Sequence, residues 1–383
     1  MNVAATKWHF GPLAFAGILL TGCLPLHQQR VEGRFSGLRS ACEPVPGATN
    51  TFHLLIVHGM GIHPVGYSDP LVSSLANALR LTKLEEATIP AGTNQFLLGR
   101  LRESVYANQH QRLRVYEVTW SPATEQIKRR AFSYDIAQGR DRQLVNHWLK
   151  ESLMDLSLSD AVLYAGRYRP QIQLPVRFAI EQLRNHLGPD DRIAMITLSL
   201  GSYILFDTLQ QIDSEQNAAR TGHSIQDLAG RTVQIFMLAN QLPLLELSDL
   251  TRPGASSERA LVSESPAADS IIPSNPLRQF LSWRQDGIRA MRIEPGQSLP
   301  PLEVAAFTDP NDLLSYKLRS SDVNSQPFAN VTMTIANWSI AGVVANPFQA
   351  HTGWIGDRRA LRLIIDGSES TRGKAREILS REP

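Results

Sequence analysis

The segment that most constrains how this chain folds lies at residues 192–202. Residues 193–196 form an unbroken apolar run, which predicts a parallel strand buried on both faces. After Gly201 the apolar residues recur at helical spacing, so the chain passes from a buried strand into a helix. Ser199 falls in the tight turn between them, which holds its hydroxyl at the end of the sheet beside the first N–H groups of the helix.

Two interpretations of Ser199 are open on this segment alone. The turn is of the kind that carries an activated serine, whose usual pattern is G-x-S-x-G. Gly201 fits that pattern, but Thr197 stands where the first glycine belongs. The alternative is an ordinary serine at the end of a strand, because an S-x-G triplet is expected about once or twice by chance in a chain of this length. Residues elsewhere in the chain favour the first interpretation.

The chain begins with a predicted targeting segment. Lys7 precedes an apolar run at residues 10–20, which is shorter than the roughly 20 residues that a membrane-spanning helix needs. Small residues follow the run, as they do before the cleavage site of a secretory signal peptide. Residues 1–22 are therefore predicted to be a signal peptide. Residues 23–50 are polar and contain several prolines, and they are predicted to be a tether.

The end of this signal resembles a bacterial lipobox, in the run Leu20-Thr21-Gly22-Cys23. The resemblance implies that Cys23 becomes the lipid-modified (palmitoylated) first residue of the mature chain and anchors it to a membrane. The residue after Cys23 is Leu24 and not an aspartate. In Gram-negative lipoproteins, a residue other than aspartate at this position generally goes with the outer membrane. The expected location is therefore the bacterial cell envelope, at the outer membrane facing the periplasm. The alternative is a plain signal peptide with an incidental cysteine.

Composition excludes several classes of site. The 383 residues are 43% hydrophobic, enough to bury one large core or two modest ones. A net charge of +2 does not indicate nucleic-acid binding. The two cysteines are Cys23 and Cys42, so acylation of the first leaves no intrachain disulfide, and a four-cysteine zinc site is excluded. No metal or cofactor is predicted, and His58 and His63 are expected to shape a loop.

From residue 51 onward, strand and helix patterns alternate, which predicts an α/β fold with a doubly wound, mostly parallel sheet over residues 51–383. Residues 121–174 interrupt the alternation and are predicted to be a helical insertion, either a cap over the site or an extra packed helix. Residues 248–282 are rich in serine, proline and alanine and are predicted to be a mobile loop. The predicted strands lie at residues 52–57, 113–120, 193–196, 233–239, 302–307 and 328–335.

A base for Ser199 can be selected by chain order. A serine hydroxyl is a poor nucleophile until a neighbouring base takes its proton, and that base needs an orienting acid. In doubly wound hydrolases the order along the chain is serine, acid, histidine. Of the ten histidines, only His223 and His351 follow Ser199, and only His351 also follows an acid at the end of a later strand. His351 is the candidate base, and the alternative is a histidine of a surface loop.

Two carboxylates are candidates for the orienting acid. Asp309 and Asp312 both follow the predicted strand at residues 302–307. An acid at this place holds the imidazole in one tautomer and stabilises the imidazolium once it forms. Asp309 stands directly before Pro310, which is typical of a residue that forms a turn.

Backbone donors for an oxyanion are predicted at two strand ends. The tetrahedral intermediate of acyl transfer needs N–H groups aimed at its oxygen. Leu200 supplies one directly after Ser199, and Met60 supplies the second in the loop after the first strand. The alternative for Gly59-Met60-Gly61 is a dinucleotide fingerprint, which is rejected because Pro64 stands where the third glycine is needed.

Together these segments resemble serine hydrolases of the α/β-hydrolase superfamily, with the lipase and phospholipase-like branch nearest. The likeness spans about residues 51–367. The four matching segments are Ile56-Val57-His58-Gly59-Met60-Gly61, Thr197-Leu198-Ser199-Leu200-Gly201, Asp309-Pro310-Asn311-Asp312 and Ala350-His351-Thr352-Gly353.

The resemblance implies a triad of Ser199, His351 and Asp312 that cleaves carboxylic esters, lipid esters among them, through an acyl-enzyme. Asp312 resembles the acid position of lipase-like hydrolases more closely than Asp309, which stays the alternative. Two other functions are open. The same triad serves thioesterases, amidases and acyltransferases, and the same fold serves non-catalytic envelope lipoproteins, because fold does not fix function. The sequence gives no indication of the oligomeric state.

Overall fold

The structure is a computed structural model of the chain. No helix of the described residues combines the length and the apolar composition that crossing a bilayer requires. The predicted signal peptide and Cys23 lie outside the described residues. Those residues are 28–43, 51–93, 96–137, 142–143, 146–147, 149–219, 225–245, 275–290, 301–324, 326–335, 339–340 and 344–379.

Nine of the described strands form one sheet, in the order β1-β9-β8-β7-β6-β2-β5-β4-β3. The strands from β9 across to β5 are parallel neighbours. The edges are antiparallel, with β1 on β9 and the hairpin of β3 and β4 on β5. The strands are β1 Gln29–Glu32, β2 Thr51–Val57, β3 Thr82–Gly92, β4 Leu97–Ala107, β5 Arg112–Thr119, β6 Arg192–Leu198, β7 Thr232–Leu238, β8 Glu303–Thr308 and β9 Phe328–Met333, with a separate pair of β10 Ser339–Ile340 and β11 Val344–Ala345.

Helices connect these strands, and short 3₁₀ turns at Ser320–Val323 and Gly353–Gly356 adjoin them. The fourth helix is π-helical, and the last is broken at Gly367, whose φ is 80°. The helices are α1 Leu38–Ala41, α2 Asp69–Leu79, α3 Pro122–Ala137, α4 Leu149–Leu158, α5 Ser159–Ala165, α6 Arg169–Asn185, α7 Leu200–Ala219, α8 Ile225–Arg231, α9 Leu242–Leu245, α10 Pro276–Ala290, α11 Pro347–Thr352 and α12 Arg358–Leu379.

Helices cover both faces of the sheet. One core lies between the sheet and α6, α7, α8 and α10, and the second lies between the opposite face and α1, α2 and α12. Strand β7 is buried at every position, as expected for a central strand covered on both sides. The predicted α/β class, with the doubly wound and mostly parallel sheet of an α/β-hydrolase fold, is confirmed. Helices α3, α4 and α5 lie within residues 121–174, the range of the predicted helical insertion.

The chain reverses its direction across the sheet between β2 and β6. After β2 it continues to the far edge at β3 and returns through β4 to β5 on one side, and after β6 it continues to β7 on the other. In open α/β sheets the carboxyl ends of two such strands border a crevice, because their connections run to opposite sides. The loop after β2 and the turn after β6 therefore meet at the place where such folds bind ligands.

Two predicted boundaries are wrong. Residues 23–50 were expected to be a tether, yet β1 is hydrogen-bonded along β9, and Leu38 of α1 is fully buried in the second core. The folded domain therefore begins before residue 51. The predicted loop at residues 248–282 lies outside the described residues as far as position 274, but α10 occupies its last part because Leu277 and Phe280 pack into the first core.

Candidate active site

Ser199 occupies a strained turn directly after β6. Its φ is 51°, in the left-handed region that a residue with a side chain rarely adopts. Its N–H donates to the Leu238 carbonyl at 2.7 Å, so the end of β7 holds the turn in place. The side chain is buried, with the residue 3% exposed. Backbone strain of this kind costs about 1–3 kcal/mol and persists where the surrounding structure enforces it.

Two glycines allow the loop after β2 to approach this turn. A Cβ on Gly59 would lie 2.6 Å from the Ser199 Cβ, and one on Gly201 would lie 2.5 Å from the His58 carbonyl oxygen. Neither position has room for a side chain. The glycine that the sequence pattern retained at position 201 is therefore required by the close approach of α7 to the end of β2.

Thr197 replaces the first glycine of the usual pattern without disturbing the turn. It is fully buried, and its hydroxyl donates to the Ser202 Oγ at 3.1 Å. The Ser202 hydroxyl in turn donates to the Ser199 carbonyl at 3.0 Å. A branched polar side chain is tolerated here because Ser202 supplies it with a partner. The same two hydroxyl groups connect β6 to the first turn of α7.

The structure brings Ser199, His351 and Asp312 into one hydrogen-bonded row. The Ser199 Oγ lies 2.7 Å from Nε2 of His351. The opposite ring nitrogen, Nδ1, lies 2.8 and 2.9 Å from the two carboxylate oxygens of Asp312. A carboxylate only accepts hydrogen bonds, so Nδ1 carries the proton and Nε2 accepts from the serine hydroxyl. The Asp312 side chain is fully buried and that of His351 is 10% exposed.

Local structure fixes the imidazole. His351 lies in the last turn of α11, which begins at an Asn346 cap whose side chain accepts the N–H groups of Phe348 and Gln349. An asparagine cap satisfies two N–H groups that have no partner inside the helix. The short helix therefore presents His351 from a defined backbone, beyond the carboxyl edge of the sheet.

Asp309, the alternative acid, bonds elsewhere. Its Oδ2 accepts the Ile335 N–H at 2.7 Å, and its Oδ1 accepts the N–H of Asn311 at 2.8 Å. It therefore closes the turn after β8 and attaches this turn to the segment after β9. Burial raises its pKa, against the hydrogen bonds that it accepts. Its backbone carbonyl accepts the Asp312 N–H at 3.0 Å, so Asp309 supports the residue that contacts His351.

Met60 and Leu200 both lie beside Ser199. Met60 is buried and follows Gly59, the residue in contact with the Ser199 side chain. Leu200 is buried and is the first residue of α7, where N–H groups have no acceptor within the helix. The structure therefore places both predicted oxyanion donors in segments that border the serine.

His58 shapes the loop that contains Met60. Its Nε2 accepts the Trp120 N–H at 3.0 Å, so the proton is on Nδ1, which donates to the Gly59 carbonyl at 2.7 Å. Its ring stacks on those of His63 and Trp120, with centroids 4.3 and 4.7 Å away. Burial holds the pKa of His58 well below its usual value, so the ring is neutral. Among the described residues, no group of three or more histidine, cysteine, aspartate or glutamate side chains is placed to hold a metal ion.

Two residues after β7 were missed by the sequence interpretation. The Gln241 side chain is buried and its Nε2 lies 3.5 Å from Nε2 of His351. Asn240 makes two hydrogen bonds with Tyr316. The Asn240 carbonyl accepts the Tyr316 N–H at 2.7 Å, and the Asn240 side-chain amide donates to the Tyr316 carbonyl at 3.0 Å. The signal was present, because both follow a predicted strand at the carboxyl edge of the sheet, where ligand sites form.

No family model matches the chain, and no curated protein matches it. Among solved structures, it is similar to alpha/beta hydrolase domain-containing protein 10 from mouse, with 9% sequence identity, over 81% of this chain and 87% of that chain, at a TM-score of 0.26. A similarity at this level carries no argument about activity, and the case for function therefore depends on the site.

Proposed function

We propose that the protein is a serine hydrolase that cleaves carboxylic esters, lipid esters among them. The observation that carries the proposal is the uninterrupted contact from Ser199 through His351 to Asp312, with 2.7 Å on the serine side and 2.8 Å on the carboxylate side. These residues come from three separate connections and meet at the crevice between β2 and β6. That place and that order of groups are typical of acyl transfer through a serine.

Each residue has a role in the proposed reaction. His351 Nε2 takes the hydroxyl proton as the Ser199 Oγ attacks the acyl carbonyl, and Asp312 stabilises the imidazolium that results. The N–H groups of Met60 and Leu200 bind the oxyanion of the tetrahedral intermediate. His351 then gives its proton to the departing alcohol. A water molecule, activated by the same imidazole, hydrolyses the acyl-enzyme and returns Ser199 to its starting state.

Exposed apolar side chains beside the site support an acyl substrate. Leu313, the neighbour of Asp312, is 73% exposed, and Ile62, the neighbour of Gly61, is 38% exposed. Exposed apolar side chains that are next in the chain to site residues favour substrates that bring apolar surface to them, because burying that surface is favourable. This observation favours acyl groups with a hydrocarbon part over fully polar substrates.

The proposal includes a location. A lipid on Cys23 would attach the enzyme to the outer membrane, facing the periplasm. Membrane attachment suits an enzyme that acts on lipid esters because it raises the local concentration of such substrates. Globomycin, which blocks processing of bacterial lipoproteins, and Cys23→Ala test this part. Loss of membrane fractionation in Cys23→Ala supports it, and unchanged fractionation contradicts it.

A fluorophosphonate probe tests the enzymatic proposal. The probe phosphonylates activated serines, so the wild-type protein should be labelled and Ser199→Ala should not. Ser214→Ala is the matched control, because Ser214 carries an exposed hydroxyl on α7, the helix that follows Ser199. Labelling that persists in Ser199→Ala contradicts the assignment. Turnover of matched ester, thioester and amide substrates then distinguishes an esterase from the other acyl-transfer enzymes. The absence of both labelling and turnover would favour a non-catalytic protein.

A further inference from the structure

The helical insertion is bonded to the loop that carries Met60. Gly61 has a φ of 94°, and its N–H donates to Oδ2 of Asp160 at 2.8 Å. Asp160 lies in α5, 99 positions further along the chain. Glycine adopts a positive φ without steric cost, so this conformation is accessible at position 61, and the Asp160 carboxylate holds the loop in it.

Asp160 is neutralised by Lys128 from another helix of the insertion. The Lys128 Nζ lies 2.7 Å from Oδ1 of Asp160, and the two side chains are 1% and 0% exposed. The same ammonium donates to the Leu156 carbonyl at 2.8 Å. Burial raises the pKa of Asp160, and the Lys128 ammonium opposes that rise. A buried ion pair contributes little to stability by comparison with an apolar pair of the same size. The contact of Asp160 with the loop that carries Met60 therefore points to a role in positioning that loop.

The two peptide groups on either side of Met60 are both fixed. The Gly59 carbonyl belongs to the same planar unit as the Met60 N–H, and it accepts a hydrogen bond from His58 at 2.7 Å. In a trans peptide the N–H points away from the carbonyl, so this bond sets the direction of the Met60 N–H. The following N–H, that of Gly61, is fixed by Asp160. The loop therefore cannot rotate about Met60 without breaking one of these bonds.

We propose that Asp160 is a positioning residue for the oxyanion donor at Met60, with Lys128 as the countercharge that makes a carboxylate tolerable there. This inference rests on the proposed serine hydrolase function and extends the active site to the helical insertion. A carboxylate without a partner, bonded to the residue after an oxyanion donor, would oppose the negative charge that develops in the transition state. The paired ammonium removes that opposition while the oxygen keeps its hold on Gly61.

Paired substitutions test the inference without leaving a buried charge alone. The double variant Asp160→Leu with Lys128→Met removes the acceptor for Gly61, and apolar replacement of a buried ion pair is usually tolerated. The double variant Asp160→Asn with Lys128→Gln keeps a carbonyl oxygen for Gly61 and a hydrogen-bond partner for it. Tyr164→Phe is the matched control, because Tyr164 bonds the same insertion to Asp207 of α7 and not to the loop.

The measurements are kcat and KM for a p-nitrophenyl ester and the rate of phosphonylation of Ser199. The Leu/Met variant should lose 10-fold to 100-fold in kcat and in phosphonylation rate, with KM within about 3-fold, since removing a whole oxyanion donor costs about 10²–10³-fold. The Asn/Gln variant and Tyr164→Phe should stay within about 3-fold of wild type. A Leu/Met variant with wild-type kcat and phosphonylation rate overturns the inference.

A second measurement does not depend on the variants folding. Amide hydrogen exchange in the wild-type protein should show protection at Gly61, and this protection should fall at least 10-fold in the Leu/Met variant, which lacks the acceptor for the Gly61 N–H. Exchange at the rate of an unprotected loop in the wild type overturns the inference. If the wild-type serine is not labelled at all, the serine hydrolase proposal fails first, and protection at Gly61 still reports whether the contact forms.

Discussion

Gly59 lies so close to Ser199 that a methyl group on it would come within 3.2 Å of the serine oxygen and 2.6 Å of its Cβ. Gly59→Ala should therefore displace either the loop that contains Met60 or the serine itself. We expect kcat for ester hydrolysis to fall by about 10²-fold or more, comparable with the loss of an oxyanion donor.

Steady-state kinetics and the phosphonylation rate measure this effect. Gly356→Ala is the control, because a Cβ at Gly356 would meet no atom within 4 Å. Similar thermal unfolding of the two variants, together with a wild-type kcat in Gly59→Ala, would contradict the packing that the structure describes.

The two acids after β8 should differ in what their removal costs. Asp312→Asn should lower kcat by up to about 10⁴-fold, as expected when an amide replaces the carboxylate that holds the imidazole tautomer. Asp309→Asn should mainly lower the free energy of unfolding, by about 1–3 kcal/mol, because it weakens the acceptor for the Ile335 N–H. Kinetics and urea denaturation of both variants test the contrast, and the reverse pattern would assign the acid to Asp309.

Thr197 should contribute to stability more than to turnover. Thr197→Val keeps the size of the side chain and removes the hydroxyl that donates to Ser202. The free energy of unfolding should fall by about 1 kcal/mol, the usual net value of one buried hydrogen bond, with kcat within a few-fold. A 10-fold or larger loss of kcat at unchanged stability would mean that this hydroxyl acts on the position of Ser199.

His58 should make stability depend on pH. Its pKa is held well below the usual value by burial, whereas in the unfolded chain it is about 6.5. Below that pH only the unfolded state gains the proton. The contribution of His58 to the free energy of unfolding is therefore complete above pH 6.5 and is lost as the pH falls. This amounts to about 1.4 kcal/mol between pH 7.5 and 5.5. Denaturation of wild type and His58→Gln should show a smaller decrease in the variant, and equal decreases would contradict it.

Central strands and site residues were predictable from sequence because each has a local signal. Strands β6 and β7 are buried on both faces over most or all of their length, and most of their residues are therefore apolar. Ser199 lies at the end of a predicted strand, and only His223 and His351 follow it along the chain. The resemblance to lipase-like hydrolases favours Asp312 over Asp309, but both follow the same strand, and it is their hydrogen bonds in the folded chain that separate their roles.

Other elements had no local signal. Strand β3 is an exposed edge strand, so its sequence is polar, and Pro90 within it is tolerated because edge strands lack a second partner. Strand β1 is four residues long and is defined by its pairing with β9, about 300 positions later. Asp160 could not be distinguished from surface carboxylates, because its burial depends on how the insertion packs.

The pairing of β1 along β9 has a consequence for distance to a membrane. The chain is fixed to the sheet from Gln29, and six peptide units separate this residue from Cys23. Fully extended, they reach about 22 Å, against nearly 100 Å for a leash that ran to residue 50. An acyl chain on Cys23 would thus hold this edge of the sheet close to the lipid headgroups and restrict how the catalytic mouth faces the bilayer. Such an enzyme would draw its substrates from that surface, with little access to molecules further out.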